Sequence, residues 1–139
     1  MTDIEELLRE FYSTINEYDL DSFMNYLADD FKMITVSNRV IDKHAARDML
    51  LQGKNAFPDR KVAIERLMTK DNTAMVEYTY TATHTGEYMG FPATNNRIEL
   101  PVVDIFEFES GKIMSYKQVF NWRLFVRGIA PLGDRRRER

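Results

Sequence analysis

The sequence changes period at Pro58, and that change limits the chain to few architectures. Before Pro58 the apolar residues recur at helical spacing. After it, four long stretches, "KVAIERLMTK", "AMVEYTYTATH", "IELPVVDIFEFE" and "KIMSYKQVFNW", alternate at every second position. Successive side chains of a strand point to opposite faces, so this alternation specifies long, half-buried strands. "KDNT" and "ESGK" read as tight turns between them, and "TGEYMGFPATNN" as a longer connection. Helices followed by a meander of strands predict an α+β domain with an antiparallel sheet.

In the first half, Ile4, Leu7, Leu8, Phe11 and Ile15 form the apolar stripe of a first helix, with Thr2 and Glu5 spaced as a capping box. Asp19 or Asp21 is placed to cap a second short helix, "DSFMNYLADDF", striped by Phe23, Met24 and Leu27. A short strand, "KMITV", precedes a third helix, "DKHAARDMLLQGKNAF", which Pro58 stops. "RLFVRGIAPL" adds a closing helix or extended arm ended by Gly128 and Pro131.

With 139 residues and 44% apolar content, the chain supports one continuous core, assigned to residues 1–131. The remaining residues, 132–139, read as a charged, solvated tail. A net charge of −3 gives no basic field for nucleic acid or anionic lipid. The absence of cysteine excludes disulfides and thiolate chemistry. "MTDIEELLREF" is unlike a signal peptide and no apolar run reaches membrane-spanning length, so the expectation is a soluble cytoplasmic protein.

Sorting the strands by face gathers a set of polar groups. Val76, Tyr78, Tyr80, Ala82 and His84 share one face of their strand. Val102, Asp104, Phe106 and Phe108 share one face of the next, and Met114, Tyr116, Gln118 and Phe120 one face of the last. The phenylalanines turn their set inward and take Asp104 with them. His84, Asp104, Tyr116, Gln118 and the two tyrosines then stand on an otherwise apolar interior face, the usual form of a small-molecule pocket. Tyr12 on the first helix is counted with Tyr78 and Tyr80 as a candidate ligand contact.

Each has a structural alternative. His84 is a pocket group or a hydrogen-bonded strand-end residue, and Asp104 an acid/base or a structural acceptor. The tyrosines are ligand contacts or core residues. Asn121 is a site residue or a helix cap, Trp122 recognition or packing, and His44 an exposed helical residue. No glycine-rich phosphate loop, GxSxG or HExxH occurs, and two widely spaced histidines make a poor metal site.

"FPD", "THTGEYMGFPAT", "VDIFEF" and "GKI", in this order and spacing, resemble successive blocks of the SnoaL-like polyketide cyclase family, and the resemblance covers residues 3 to 130. It implies N-terminal helices packed on a strongly bent antiparallel sheet, a cone with an internal pocket. It also implies a homodimer paired through the outer sheet face, a small hydrophobic ligand, and an aspartate acid/base acting without metal or cofactor. "THTGEYMGFPAT" would cross the open rim, making His84 a rim or pocket residue.

This chain departs from the family where relatives commonly carry acidic residues in a stretch such as "EHWDVFD". Here "SYKQVFN" puts Gln118 and Asn121 at those two aspartates, and "VRG" replaces a frequent "QLG". Neither amide exchanges a proton near neutral pH. If the chain is an enzyme, the inward Asp104 is its acid or base, His84 the partner or a second proton carrier, and Tyr116, Gln118 and Asn121 orient the substrate oxygens. A non-catalytic binding or interaction module is the competing reading. Epoxide-hydrolase-like chemistry on the same fold needs an arginine flanked by inward aspartates, of which the sequence offers only Asp104.

Overall fold

The computed structural model describes residues 3–130; Thr2, Pro131 and the arginine-rich tail lie outside them. Helix α1 (Ile4–Glu17) starts at Asp3, whose carboxylate accepts the Glu5 N–H at 3.0 Å and the Glu6 N–H at 3.4 Å. The cap is therefore Asp3 itself, with acidic side chains in the first turn favouring the helix dipole. Asp19 caps α2 (Leu20–Asn25) by accepting from Ser22 N–H.

The second helix is shorter than its apolar stripe suggests. "LADDF" is not helical but opens strand β1 (Leu27–Ile34), with Leu27, Phe31 and Met33 buried. Pairing with two neighbouring strands outweighs local helical propensity here. A short β2 (Val40–Asp42), not foreseen from the sequence, leads into α3 (Lys43–Ala56), capped by Asp42. Then follow β3 (Lys61–Lys70), β4 (Thr73–Thr83), β5 (Arg97–Glu109), β6 (Lys112–Phe120) and α4 (Trp122–Ile129).

The strands form one curled, unclosed sheet in the order β2-β1-β6-β5-β4-β3. The expected meander, β3 to β6, is antiparallel throughout; β1 joins β6 in parallel. Register shifts between Ile64 and Arg66 on β3, and opposite Glu107 and Phe108 on β6, insert single residues that increase the bend. The second shift revises one inward assignment. Ile113, fully buried, pairs with Phe108, while Met114 is the extra residue and only half-buried.

All four helices pack against the sheet. Phe11 of α1 packs on Phe23 at 5.3 Å between ring centroids, and meets Phe106 edge-on at 6.0 Å. The ends of α1 and α3 are tied together by the Tyr18 hydroxyl, which donates to the carbonyls of Phe57 at 2.6 Å and Gly53 at 3.1 Å. The segment after β4 is fastened to the end of α3 as well: Thr85 and Gly86 N–H both donate to the Ala56 carbonyl.

Gly86 has no room for a side chain, because a Cβ there would stand 2.2 Å from the Asn55 carbonyl oxygen. Backbone cannot yield as a flexible side chain can. Gly86→Ala is therefore expected to destabilise the protein by about 1–3 kcal/mol, the usual scale of overpacking, read as a lower urea midpoint. An unchanged midpoint would show that this approach is looser than described.

Candidate functional site

The concave face of the sheet and the helices over it enclose a cavity of about 300 Å³. Its walls are mainly apolar, with Leu50 of α3 and Val102 and Leu100 of β5 among them. Tyr78, Tyr80, Asp104, Tyr116 and Gln118, which face-sorting of the strands turns inward, line it together with Tyr12 of α1 and Trp122 of α4. The rim is formed in part by residues 35–37, Met89 and Trp122, the last 41% exposed.

Asp104 sits in the middle of β5, opposite Val76 on one side and Gln118 on the other, and is 3% exposed. Among the described residues, the Tyr12 hydroxyl is the one donor in good geometry, giving a 2.7 Å bond to Oδ2. Oδ1 is buried without a hydrogen-bond partner. Burial therefore dominates and pushes the carboxyl up from 3.8 to about 7, with Tyr12, Tyr78, Gln118 and Arg60 each pulling it partly back. Tyr78 and Gln118 approach closely enough to act on the charge while leaving Oδ1 unbonded.

Gln118 Nε2 donates to the Tyr78 hydroxyl oxygen at 3.2 Å. That bond uses an acceptor site of Tyr78 and leaves its O–H proton available to the carboxylate or to a ligand oxygen. The Tyr12 and Tyr78 hydroxyls are themselves raised well above their ordinary value, first by burial and then by the nearby Asp104 charge, so both remain donors at neutral pH.

His84 and Asn121 are not brought into this group. The His84 ring is fully buried against Phe57, 5.5 Å between centroids, but does not line the cavity. Its Nδ1 lies 3.0 Å from Thr94 Oγ1 and accepts the Thr94 N–H at 3.3 Å, which places the ring proton on Nε2. Burial lowers its pKa, the Gly86 backbone offsets this in part, and the neutral ring holds the rim segment in place. Asn121 is exposed and caps α4, its Oδ1 accepting the Arg123 N–H at 3.0 Å. His44 is exposed on α3.

Arg60 is a cavity residue that face-sorting of the strands leaves out. A signal was present, since Arg60 shares parity with Val62 and Ile64, the inward-facing residues of β3. It falls just before the strand, directly after "PD", where alternation has not begun. Its neighbour Asp59 is turned to the outside, accepting both the N–H and the hydroxyl of Thr83 at 2.7 Å. Asp104 is thus the one carboxylate among the described lining residues, and the flanking second aspartate of an epoxide-hydrolase arrangement is not there.

A helix-covered, curled sheet with one buried carboxylate facing an apolar cavity defines a small-molecule pocket protein. The chain belongs to the SnoaL-like polyketide cyclase family, whose model matches residues 6–123. Among solved structures it is similar to AclR of Streptomyces galilaeus, described as a "putative hydroxylase", at 25% identity and a TM-score of 0.81, covering 91% of this chain and 96% of that one. It also resembles a SnoaL-like polyketide cyclase of Agrobacterium tumefaciens at 18% identity and a TM-score of 0.78, covering 94% and 100%. A comparison with curated proteins gave no match. No helix among the described residues is long and apolar enough to cross a membrane, and no three metal-ligating side chains converge.

The raised Asp104 carboxyl couples stability to pH. Below pH 3.8 folded and unfolded chains both hold the proton, whereas between 3.8 and about 7 only the folded chain keeps it. Stability therefore falls as pH rises through that window, by on the order of 4 kcal/mol at 1.36 kcal/mol per unit. His84 acts in the opposite direction, losing stability as pH falls. Asp104→Asn isolates the carboxyl: in urea denaturation at about pH 5 and pH 8, wild type should lose more stability than the variant on going to pH 8. Equal losses would show that Asp104 ionises without penalty.

Proposed function

We propose that the protein is a cofactor-independent proton-transfer enzyme of the cyclase or isomerase type, acting on a small hydrophobic carbonyl compound. The observation that carries this reading is Asp104: a carboxyl group of the cavity lining poised near neutral pH, one oxygen fixed by Tyr12 and the other buried without a hydrogen-bond partner. A purely structural aspartate is expected to have both oxygens satisfied by backbone donors, and this one has none.

In the forward sense, Asp104 as carboxylate removes a proton from the carbon next to a substrate carbonyl. The developing enolate oxygen is met by a neutral donor, for which the Tyr78 hydroxyl, braced by Gln118, is placed. The protonated Asp104 then returns the proton to carbon or oxygen. The apolar walls keep the exchange away from bulk water. Tyr116, packed against Phe106 at 5.2 Å between ring centroids, shapes the cavity wall rather than exchanging protons. His84 and Asn121 take no part in this scheme.

A non-catalytic ligand-binding module is the second reading, favoured by the amide of Gln118 and the capping role of Asn121 at the two positions where relatives commonly carry acids. Exchange of the α-protons of 1-tetralone for deuterium, followed by NMR, separates the two. The enzyme should accelerate exchange, and Asp104→Asn should remain folded and lose the acceleration by roughly a hundredfold or more. A wild-type protein that binds the ketone without accelerating exchange is a binding module.

The outer sheet face supports a homodimer. Met68, Met75 and Ile105 stand in register across β3, β4 and β5 at 57%, 44% and 36% exposure; Lys117 follows them on β6, and Val119, 46% exposed, lies one pair further along the same face opposite Val103. Such a row is a poor solvent surface and suits an isologous two-fold contact. Sedimentation velocity should give a dimer at micromolar concentration that Met75→Lys with Ile105→Lys converts to folded monomer; a wild-type monomer would overturn this assignment.

A further inference from the structure

Two charged residues of the cavity lining, Arg39 and Arg60, take no part in the proton-transfer scheme; Arg39 is exposed, whereas Arg60 is partly buried among the tyrosines. Its guanidinium carbon lies 5.0 Å from the Tyr80 ring centroid and 5.8 Å from that of Tyr18. Its Nε is buried without a hydrogen-bond partner. The ion pairs among the described residues join Arg9 to Glu5, Lys43 to Asp29 and Arg66 to Glu77, and none includes Arg60. The adjacent carboxylate, Asp59, is engaged by Thr83 on the outside. The one lining carboxylate, Asp104, has an oxygen committed to Tyr12.

A guanidinium stays charged at any pH the protein meets. Holding that charge partly buried without an anionic partner is unfavourable, and Tyr18 and Tyr80, through their ring faces and hydroxyls, compensate only in part. A carboxylate offers two coplanar oxygens that match the guanidinium fork, a geometry that a point charge does not reward. The sheet register sets how far such an anion would lie from the acid. Tyr80 pairs with Leu100, and Asp104 lies four residues further along the same face of β5, about 13 Å away at 3.3 Å per residue. Reaching inward from beside Tyr80, the Arg60 side chain covers part of that interval. The remainder fits the length of a small fused-ring skeleton, flanked by Tyr78 and Val102 on the sheet and Leu50 on α3.

We propose that Arg60 is the anion-recognition group of the cavity and that the natural ligand is a flat, apolar compound bearing a carboxylate. The carboxylate pairs with Arg60 and the far end of the skeleton reaches Asp104. This substrate class rests on the reading of the cavity as a small-molecule site and holds whether or not Asp104 turns the ligand over. Arg60 thereby fixes which end of an otherwise featureless hydrocarbon faces the acid.

The test is calorimetric titration of the full chain with 2-naphthoate and with neutral, isosteric 2-naphthamide at about pH 7.5. Wild type should bind the carboxylate at least tenfold more tightly than the amide. Arg60→Gln should bring the ratio near unity by weakening naphthoate alone, and Arg60→Lys should keep only part of the preference. Equal wild-type affinities would overturn the proposal, as would a preference surviving in Arg60→Gln, or binding of neither probe at millimolar concentration. The wild-type ratio requires no variant, so a poorly folding substitution does not hide the answer. Asp104→Asn should retain the ratio. In wild type, the carboxylate preference without ketone exchange sinks the proton-transfer reading alone, and ketone exchange without the preference sinks this proposal alone.

Discussion

The hydrogen bond from Tyr12 to Asp104 connects the first helix to the centre of the sheet, across 92 residues of chain. Its immediate neighbour Phe11 enters an aromatic cluster with Phe23, Phe106 and Tyr116 that closes one end of the concave face. Two consecutive residues of one helical turn thus divide the interior. Phe11 fills space and excludes water, and Tyr12 supplies the donor without which a buried carboxylate would be wholly unpaired. The cavity is the volume left beyond that junction, so the seating of α1 determines both how much room a ligand has and how acidic the group facing it is.

The pairing of Asp104 with Gln118 gives the amide at position 118 a physical logic. Residues directly opposite on antiparallel strands stand about 4.5–5.5 Å apart, and two carboxylates there would repel. With an amide opposite, Asp104 is free of that repulsion, and Gln118 turns its N–H toward Tyr78. At positions 118 and 121 this chain has an amide facing the carboxylate of the next strand and a cap that starts α4. The one carboxylate among the described lining residues stands on β5 rather than at the end of β6.

Strand alternation made most of this legible in the sequence. Asp104, Tyr78, Tyr80, Tyr116 and Gln118 are where period two puts them, because each lies well inside a long strand with unambiguous neighbours. The errors fall where alternation ends or is interrupted. His84 is buried as its parity requires, but it belongs to the last turn of chain before the rim, where Phe57 and Thr94 enclose it and the cavity has already diverged. Arg60 precedes the first strand residue, and Asn121 follows the last. Met114 is displaced by a bulge. The helical reading of "LADDF" failed for a different reason: its strand character comes from partners remote in sequence, which local pattern does not report.

That remote pairing governs the order in which the molecule can be completed. β1 is hydrogen-bonded in parallel to β6, with partners such as Leu27 and Ile113, or Met33 and Tyr116, separated by 83 to 86 residues. Closing so large a loop loses chain entropy before any contact rewards it, and parallel pairing gains slightly less per residue. On a ribosome, β1 is synthesised before the meander and its partner after the other three strands of it, whereas β3, β4 and β5 can pair through much shorter connections as they emerge. The meander is therefore the natural nucleus, and the wall built on Phe31 and Met33 is a late arrival that waits for β6.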